Sequence, residues 1–142
     1  MTQHNSNDYT KDLATYRMNT AIEDLTCANT SFQAGAYRFA NNRAYYAIFH
    51  AITAIYALDG RSYKRHKDAI GNFNRFYIHT GVFPKEFSSR ITEAEIIRND
   101  SDYDDFFIAS KEKTQIQIDT ATELIKLIKE YIDIKLNNAT LD

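Results

Sequence analysis

The 142-residue sequence has little of several residue types that constrain a fold or form a site. Cys27 is the only cysteine, which excludes an intrachain disulfide and a zinc site built from cysteines. Tryptophan is absent, and the single proline, Pro84, fits the start of a helix. The longest nearly apolar stretch, 44–58, is too short to span a bilayer, and no apolar leader precedes it. We therefore expect a cytoplasmic protein without a membrane segment.

An excess of charge of one sign is also lacking. The 17 lysines and arginines nearly balance the 19 aspartates and glutamates, for a net charge of −2 at pH 7. The protein as a whole therefore does not attract nucleic acid or anionic membranes, and any RNA binding must come from a local patch. Apolar residues make up 44% of the chain, which is typical of one folded domain with a single core.

Glycine is rare, and Gly35, Gly60 and Gly81 divide the chain into pieces of helical length. Apolar residues recur at helical spacing in these pieces, and no segment alternates with the period of a strand. The sequence predicts an all-α, up-and-down bundle of about five helices, two of them long. The sequence also predicts that residues 9–137 form a single domain, which follows a disordered tail of residues 1–8. The expected helices are 9–34, 37–59, 64–80, 85–98 and 110–136.

The second predicted helix is apolar on nearly every side over residues 44–58. Such a helix is buried on most sides, and a bundle of this size has difficulty covering it alone. We therefore expect a second subunit to cover part of it, in a symmetric homodimer formed through helices.

One polar line interrupts this apolar helix. Arg43, Tyr46, His50 and Thr53 follow one another at helical spacing and share one face. Polar groups that point into a core need partners, and three remain open: the stretch 98–103, the basic residues of the third helix, or the other subunit. His50 is a candidate general base or a hydrogen-bonded core residue.

The most polar stretch runs from Arg98 to Asp105 and holds one arginine, four aspartates and a tyrosine. One interpretation is a solvated turn in which Arg98 and Asp102 form an i, i+4 ion pair and the aspartates cap the next helix. The other is a phosphate site, because an arginine fork binds phosphate with two hydrogen bonds. The aspartate spacing resembles a calcium loop, but Asp105 and Lys111 stand where glycine and glutamate are required, so we expect no metal site.

The run 61–67 is the densest basic segment and contains His66 and Lys67. It is either a solvated helix start or a local patch for phosphates. The sequence has no glycine-rich phosphate loop and no nucleophile elbow, and we expect no cofactor.

Three stretches together resemble the HEPN domains: 42–51, 66–81 and 98–103. The resemblance covers roughly residues 12–136 and is closest to stand-alone bacterial HEPN proteins of toxin–antitoxin and defence systems. It implies a helical bundle that usually dimerises. Many members pair with a small nucleotidyltransferase, which in some pairs adds AMP to a tyrosine near the family motif.

The resemblance also implies a site. Many active members are metal-independent endoribonucleases, with an arginine followed four to six residues later by a histidine, in a cleft between two subunits. Arg98 matches the arginine, but Tyr103 stands where the histidine belongs. Because the ordinary pKa of tyrosine is near 10, Tyr103 is a poor proton carrier at neutral pH, and catalysis would need His50 or His66 near Arg98.

We therefore expect a non-catalytic or weakly active dimer that binds a nucleotidyltransferase partner, nucleotide or RNA at a cleft centred on Arg98. The alternatives are an endoribonuclease toxin and a structural helical adaptor. Tyr103 is also a candidate AMP acceptor by position. The candidate catalytic residues are Arg98, Asp102, Tyr103 and His50, and the candidate ligand-binding residues are Arg43, Tyr46, His66, Lys67 and Asn99.

Overall fold

The computed structural model describes the backbone of residues 6–141 and the side chains of residues 9–138. It confirms the all-α bundle, and no strand occurs in this part of the chain. None of its helices is long and apolar enough to cross a membrane. The helices are α1 (Ser6–Gln33), α2 (Tyr37–Asp59), α3 (His66–Phe73), α4 (Glu86–Tyr103) and α5 (Lys111–Leu141).

Helix α2 is the centre of the bundle and packs against α1, α3, α4 and α5. The large apolar side chains of its segment 44–58, such as Tyr45, Ile48 and Ile52, are buried within the single chain. The expectation that α2 needs a second subunit to cover it is therefore wrong. The long helices α1 and α5, of 28 and 31 residues, supply the covering surface. The homodimer itself stays a prediction.

The helix boundaries agree with the sequence most closely at α2, which spans the predicted residues. Gly60 ends it with φ at 74°, a left-handed conformation that glycine adopts without strain. The third predicted helix differs, because α3 gives way to a π-helical segment, Asn74–Ile78. Helix α5 continues to Leu141, beyond the predicted 136. Helix α1 begins at Ser6, inside the predicted tail 1–8, and residues 1–5 lie outside the described part of the chain.

The difference that matters most for the site is at α4, which continues to Tyr103 through the polar stretch that the sequence places between helices. Ser101 is buried and follows the buried Ile97 by four residues, so the helix keeps an inward face there. Arg38 of α2 satisfies carbonyls at this helix end. Its Nε donates to the Ser101 carbonyl at 2.9 Å and its Nη2 to the Asp104 carbonyl at 2.6 Å. The polar stretch is thus one more turn of α4.

Candidate functional site

Arg98 points from α4 towards α2 and is held on several sides. Its Nη2 donates to the Tyr46 hydroxyl at 2.7 Å, and its Nη1 donates to Oδ1 of Asn99 at 3.1 Å. Its Nε lies 3.0 Å from Oδ2 of Asp102, but the N–H is not aligned with that oxygen, so this contact is an ion pair without a hydrogen bond. Its Cζ lies 5.2 Å from the ring centroids of both Tyr45 and Tyr46, within cation–π range.

The predicted i, i+4 pair of Arg98 and Asp102 is therefore present, and α2 anchors it. Nδ2 of Asn42 donates to Oδ2 of Asp102 at 2.9 Å. Tyr103 is only loosely held: its side chain is 75% exposed, and its ring centroid lies 5.8 Å from Cζ of Arg98. Tyr103 thus borders the arginine without a hydrogen bond to it.

The polar line of α2 finds its main partner on α1. Asp24 is buried there, and its Oδ1 accepts a hydrogen bond from Nη1 of Arg43 at 3.0 Å. Its Oδ2 lies 2.7 Å from Nδ1 of His50. Arg43 also donates to Oδ1 of Asn42, through Nε at 3.0 Å and Nη2 at 2.8 Å. One chain of contacts therefore runs from Asp24 through Arg43, Asn42 and Asp102 to Arg98.

His66 connects the basic run 61–67 to this network. Its ring stacks on Phe49 with the centroids 3.9 Å apart, and its Nδ1 lies 3.1 Å from the Tyr45 hydroxyl, a hydrogen bond whose donor depends on the imidazole tautomer. Burial lowers the pKa of His66 below its ordinary 6.5, and the positive charge of Arg98 lowers it further. The imidazole of His66 is therefore neutral at pH 7. Since Arg98 also contacts the ring of Tyr45, the basic run and Arg98 meet at this tyrosine.

The structure joins all the predicted site residues into this network except Lys67, which is exposed and makes no described side-chain contact. Sequence reasoning missed Asp24, and α1 is not among the three partners left open for the polar line. A signal was present: Asp24 lies three residues after Ala21 and four before Ala28, on the buried stripe of α1. A carboxylate at a core position indicates a cationic partner on a facing helix. Among the described residues, no group of three or more histidine, cysteine and acidic side chains is placed to hold a metal ion.

Comparison with known proteins places this network in a family. The sequence profile of the HEPN domain matches residues 14–131. The chain belongs to the HEPN family. This confirms the resemblance carried by the three stretches. The HEPN match includes α2, α3 and α4, and therefore Arg98 and every residue in contact with its guanidinium.

Relatives of this HEPN domain include two proteins of Methanocaldococcus jannaschii and one of Thermotoga maritima. "Putative toxin MJ0605" is 32% identical over 83 residues, which cover 58% of this chain and 62% of that protein. "Putative toxin MJ0142" is 24% identical over 112 residues, covering 79% and 76%. A "UPF0332 protein" of T. maritima is 28% identical over 92 residues, covering 65% and 70%. The chain thus spans less than two thirds of the first of these relatives.

Proposed function

We propose that this HEPN domain binds single-stranded RNA on α2 and the ends of α3 and α4, with no more than weak cleavage at the family motif. The observation that carries the proposal is the contact of His66 with Tyr45 and Phe49, which sets the basic run beside Arg98. We call this surface the aromatic–basic face and define it by Tyr46, Phe49, His50, His66, Arg43 and Arg98.

The residue types on the aromatic–basic face suit a single strand. Its four rings are half-buried, so each keeps an exposed part that a base can contact. Both nitrogens Nη1 and Nη2 of Arg98 carry a second N–H beyond the bonds to Asn99 and Tyr46, and a phosphate oxygen can accept these. The exposed Lys64, Arg65 and Lys67 add charge next to His66.

The proposal is tested by the salt dependence of RNA binding. In the triple variant Lys64→Ala, Arg65→Ala, Lys67→Ala we expect about tenfold weaker binding of a labelled single-stranded RNA. The salt slope should be shallower by about 0.7 for each phosphate that the variant no longer neutralises. The double variant Lys126→Ala, Lys129→Ala on α5 removes exposed charge elsewhere and serves as the control. Absence of salt-dependent binding by the wild type would favour the structural adaptor instead.

The proposal includes a homodimer, which rests on a surface other than α2. Large apolar side chains are exposed in the segment that follows α4, with Phe106 at 92% and Ile108 at 88% exposure. Sedimentation of the wild type is expected to give a dimer, and Phe106→Ser with Ile108→Ser a monomer. Ile134→Ser, an exposed position on α5, is the control. A wild-type monomer at micromolar concentration would contradict this part. The nucleotidyltransferase partner stays a prediction, to be tested by co-purification.

A further inference from the structure

A cavity of about 390 Å³ lies between the first two turns of α2 and the last turn of α4. Five residues line it: Arg38, Phe39, Asn42, Ser101 and Asp102. Phe39 is 67% exposed, so its ring leaves an apolar surface uncovered by the bundle. The cavity shares no residue with the aromatic–basic face, but Asp102 connects the two, since its carboxylate pairs with Arg98.

Arg38 brings hydrogen-bond donors to this cavity that the protein leaves unused. Its Nε and Nη2 donate to the carbonyls of Ser101 and Asp104, which fixes the guanidinium beside residue 102. Nη1 carries two N–H groups and Nη2 carries a second one, and none of the described residues accepts a hydrogen bond from them. The cavity therefore contains an arginine fork that is held in place and still has free donors.

Asp102 brings a matching acceptor. Its Oδ2 accepts a hydrogen bond from Asn42 at 2.9 Å and lies 3.0 Å from Nε of Arg98. Its Oδ1 has no hydrogen bond to the described residues, and the side chain is 24% exposed. The negative charge of this carboxylate disfavours a phosphate in the cavity. The cavity thus suits a neutral group that has acceptors facing Arg38 and a donor facing Asp102.

We propose that this cavity binds a guanine base, and the proposal rests on the proposed RNA binding for the strand that supplies the base. Guanine presents two adjacent acceptors, O6 and N7, which an arginine fork contacts together. Its neighbouring edge presents two adjacent donors, N1–H and N2–H, for a carboxylate. Adenine and cytosine carry an amino group in place of O6, and uracil has no second acceptor adjacent to its O4. The exposed ring of Phe39 is available to stack on the base.

The guanine cavity gives the proposed RNA site a sequence preference that the aromatic–basic face lacks. Charge and stacking bind any single strand, whereas hydrogen bonds to a base edge distinguish one base from another. Because the carboxylate of Asp102 lines the cavity and also contacts Arg98, the base site and the arginine are neighbours. We therefore expect guanine to be preferred at one position of the bound strand.

The experiment measures the binding of single-stranded RNAs that differ at one central nucleotide within a run of uridines. With the wild-type chain, guanosine at that position should give about tenfold tighter binding than adenosine. 7-Deazaguanosine lacks the N7 acceptor and inosine lacks the N2 amino group, so each should bind about threefold more weakly than guanosine. Equal Kd values for guanosine and adenosine would overturn the proposal. These measurements need no variant, so they remain decisive if a substitution disturbs the fold.

Variants assign the contacts to individual residues. In Arg38→Gln the loss caused by 7-deazaguanosine should disappear while the loss caused by inosine remains, and Asp102→Asn should show the reverse. Phe39→Ala should weaken the binding of every RNA about fivefold, because stacking does not depend on the base. Tyr16→Ala is the matched control, since Tyr16 is 70% exposed on α1. A loss with 7-deazaguanosine that persists in Arg38→Gln would overturn the role given to Arg38.

The outcomes separate this inference from the proposed function. A wild type that binds RNA without preference for guanosine overturns the inference alone. A wild type that binds no RNA overturns the proposed function, and calorimetry with guanosine and adenosine monophosphates then decides the inference. Tighter binding of guanosine monophosphate would mean that a free nucleotide supplies the guanine, whereas equal or absent binding of the two nucleotides would overturn the guanine cavity as well.

Discussion

Two carboxylate clusters lie along α2, and they differ in what they leave available. At the C-terminal end of the helix, Asp59 accepts hydrogen bonds from the hydroxyls of Tyr77 at 2.5 Å and Tyr131 at 2.9 Å, and it pairs with Lys135. Both of its oxygens are used within the chain. The cluster of Asp24 instead ends in the half-buried imidazole of His50, whose Nε2 has no hydrogen bond to the described residues.

The difference separates a cluster for stability from a cluster for a ligand. The Asp59 cluster joins α2 to the π-helical segment and to α5. Burial first, and then the hydrogen bond to Asp59, raise the pKa of the Tyr77 and Tyr131 phenols, which keeps both as donors at neutral pH. Similar residue types at the aromatic–basic face keep donors and acceptors that the described residues do not use. The chemistry of the side chains is shared, and the number of satisfied groups distinguishes the two clusters.

The largest effect is expected from opening the closed cluster. Asp59→Ala leaves two phenols and an ammonium without their acceptor, so the free energy of unfolding should fall by about 3 kcal/mol and the Tm by about 10 °C. RNA binding should not change, because the cluster lies at the far end of α2. Asp133→Ala, at an exposed position on α5, is the control for loss of one carboxylate. A stability unchanged within about 0.5 kcal/mol would show that the cluster is not a structural anchor.

A smaller effect is expected at Arg98, where a substitution should weaken RNA binding and leave stability nearly unchanged. Arg98→Lys keeps the charge but not the planar fork, and a lysine cannot contact Tyr46, Asn99 and a phosphate in the same geometry. We expect RNA binding to weaken about tenfold and the free energy of unfolding to change by less than about 1 kcal/mol. Arg75→Lys on the π-helical segment is the control, since Arg75 is exposed. Equal RNA binding by Arg98→Lys and the wild type would mean that only the net charge of the site matters.

Part of the candidate site could be predicted from the sequence, because it depends on spacing along single helices. The polar line of α2 and the i, i+4 pair at Arg98 follow from helical periodicity alone. Of the partners of the polar line, Arg98 was among the alternatives and contacts Tyr46, but Asp24 was not, since Asp24 and His50 are 26 residues apart and meet only through the packing of α1 on α2. The end of α4 was missed for a similar reason. Arg38 caps it from a distance of 63 residues in sequence, and no local pattern contains that contact.

The smallest effect concerns the pH dependence of stability, and it isolates His66 from the rest of the aromatic–basic face. Folding lowers its pKa, by burial and then by the charge of Arg98, with Glu95 opposing and His50 adding a little. The unfolded chain, with the ordinary pKa of 6.5, therefore binds more protons than the folded chain between the lowered pKa and 6.5. The contribution of His66 to the free energy of unfolding is complete above pH 6.5 and decreases as the pH falls from 6.5 to the lowered pKa.

His66→Gln should thus lose less stability than the wild type when urea unfolding is compared at about pH 7.5 and pH 5. His79→Gln, at an exposed position, is the matched control. An identical pH dependence in His66→Gln and the wild type would mean that His66 titrates alike in the folded and unfolded chain, and that Arg98 does not act on the basic run through it.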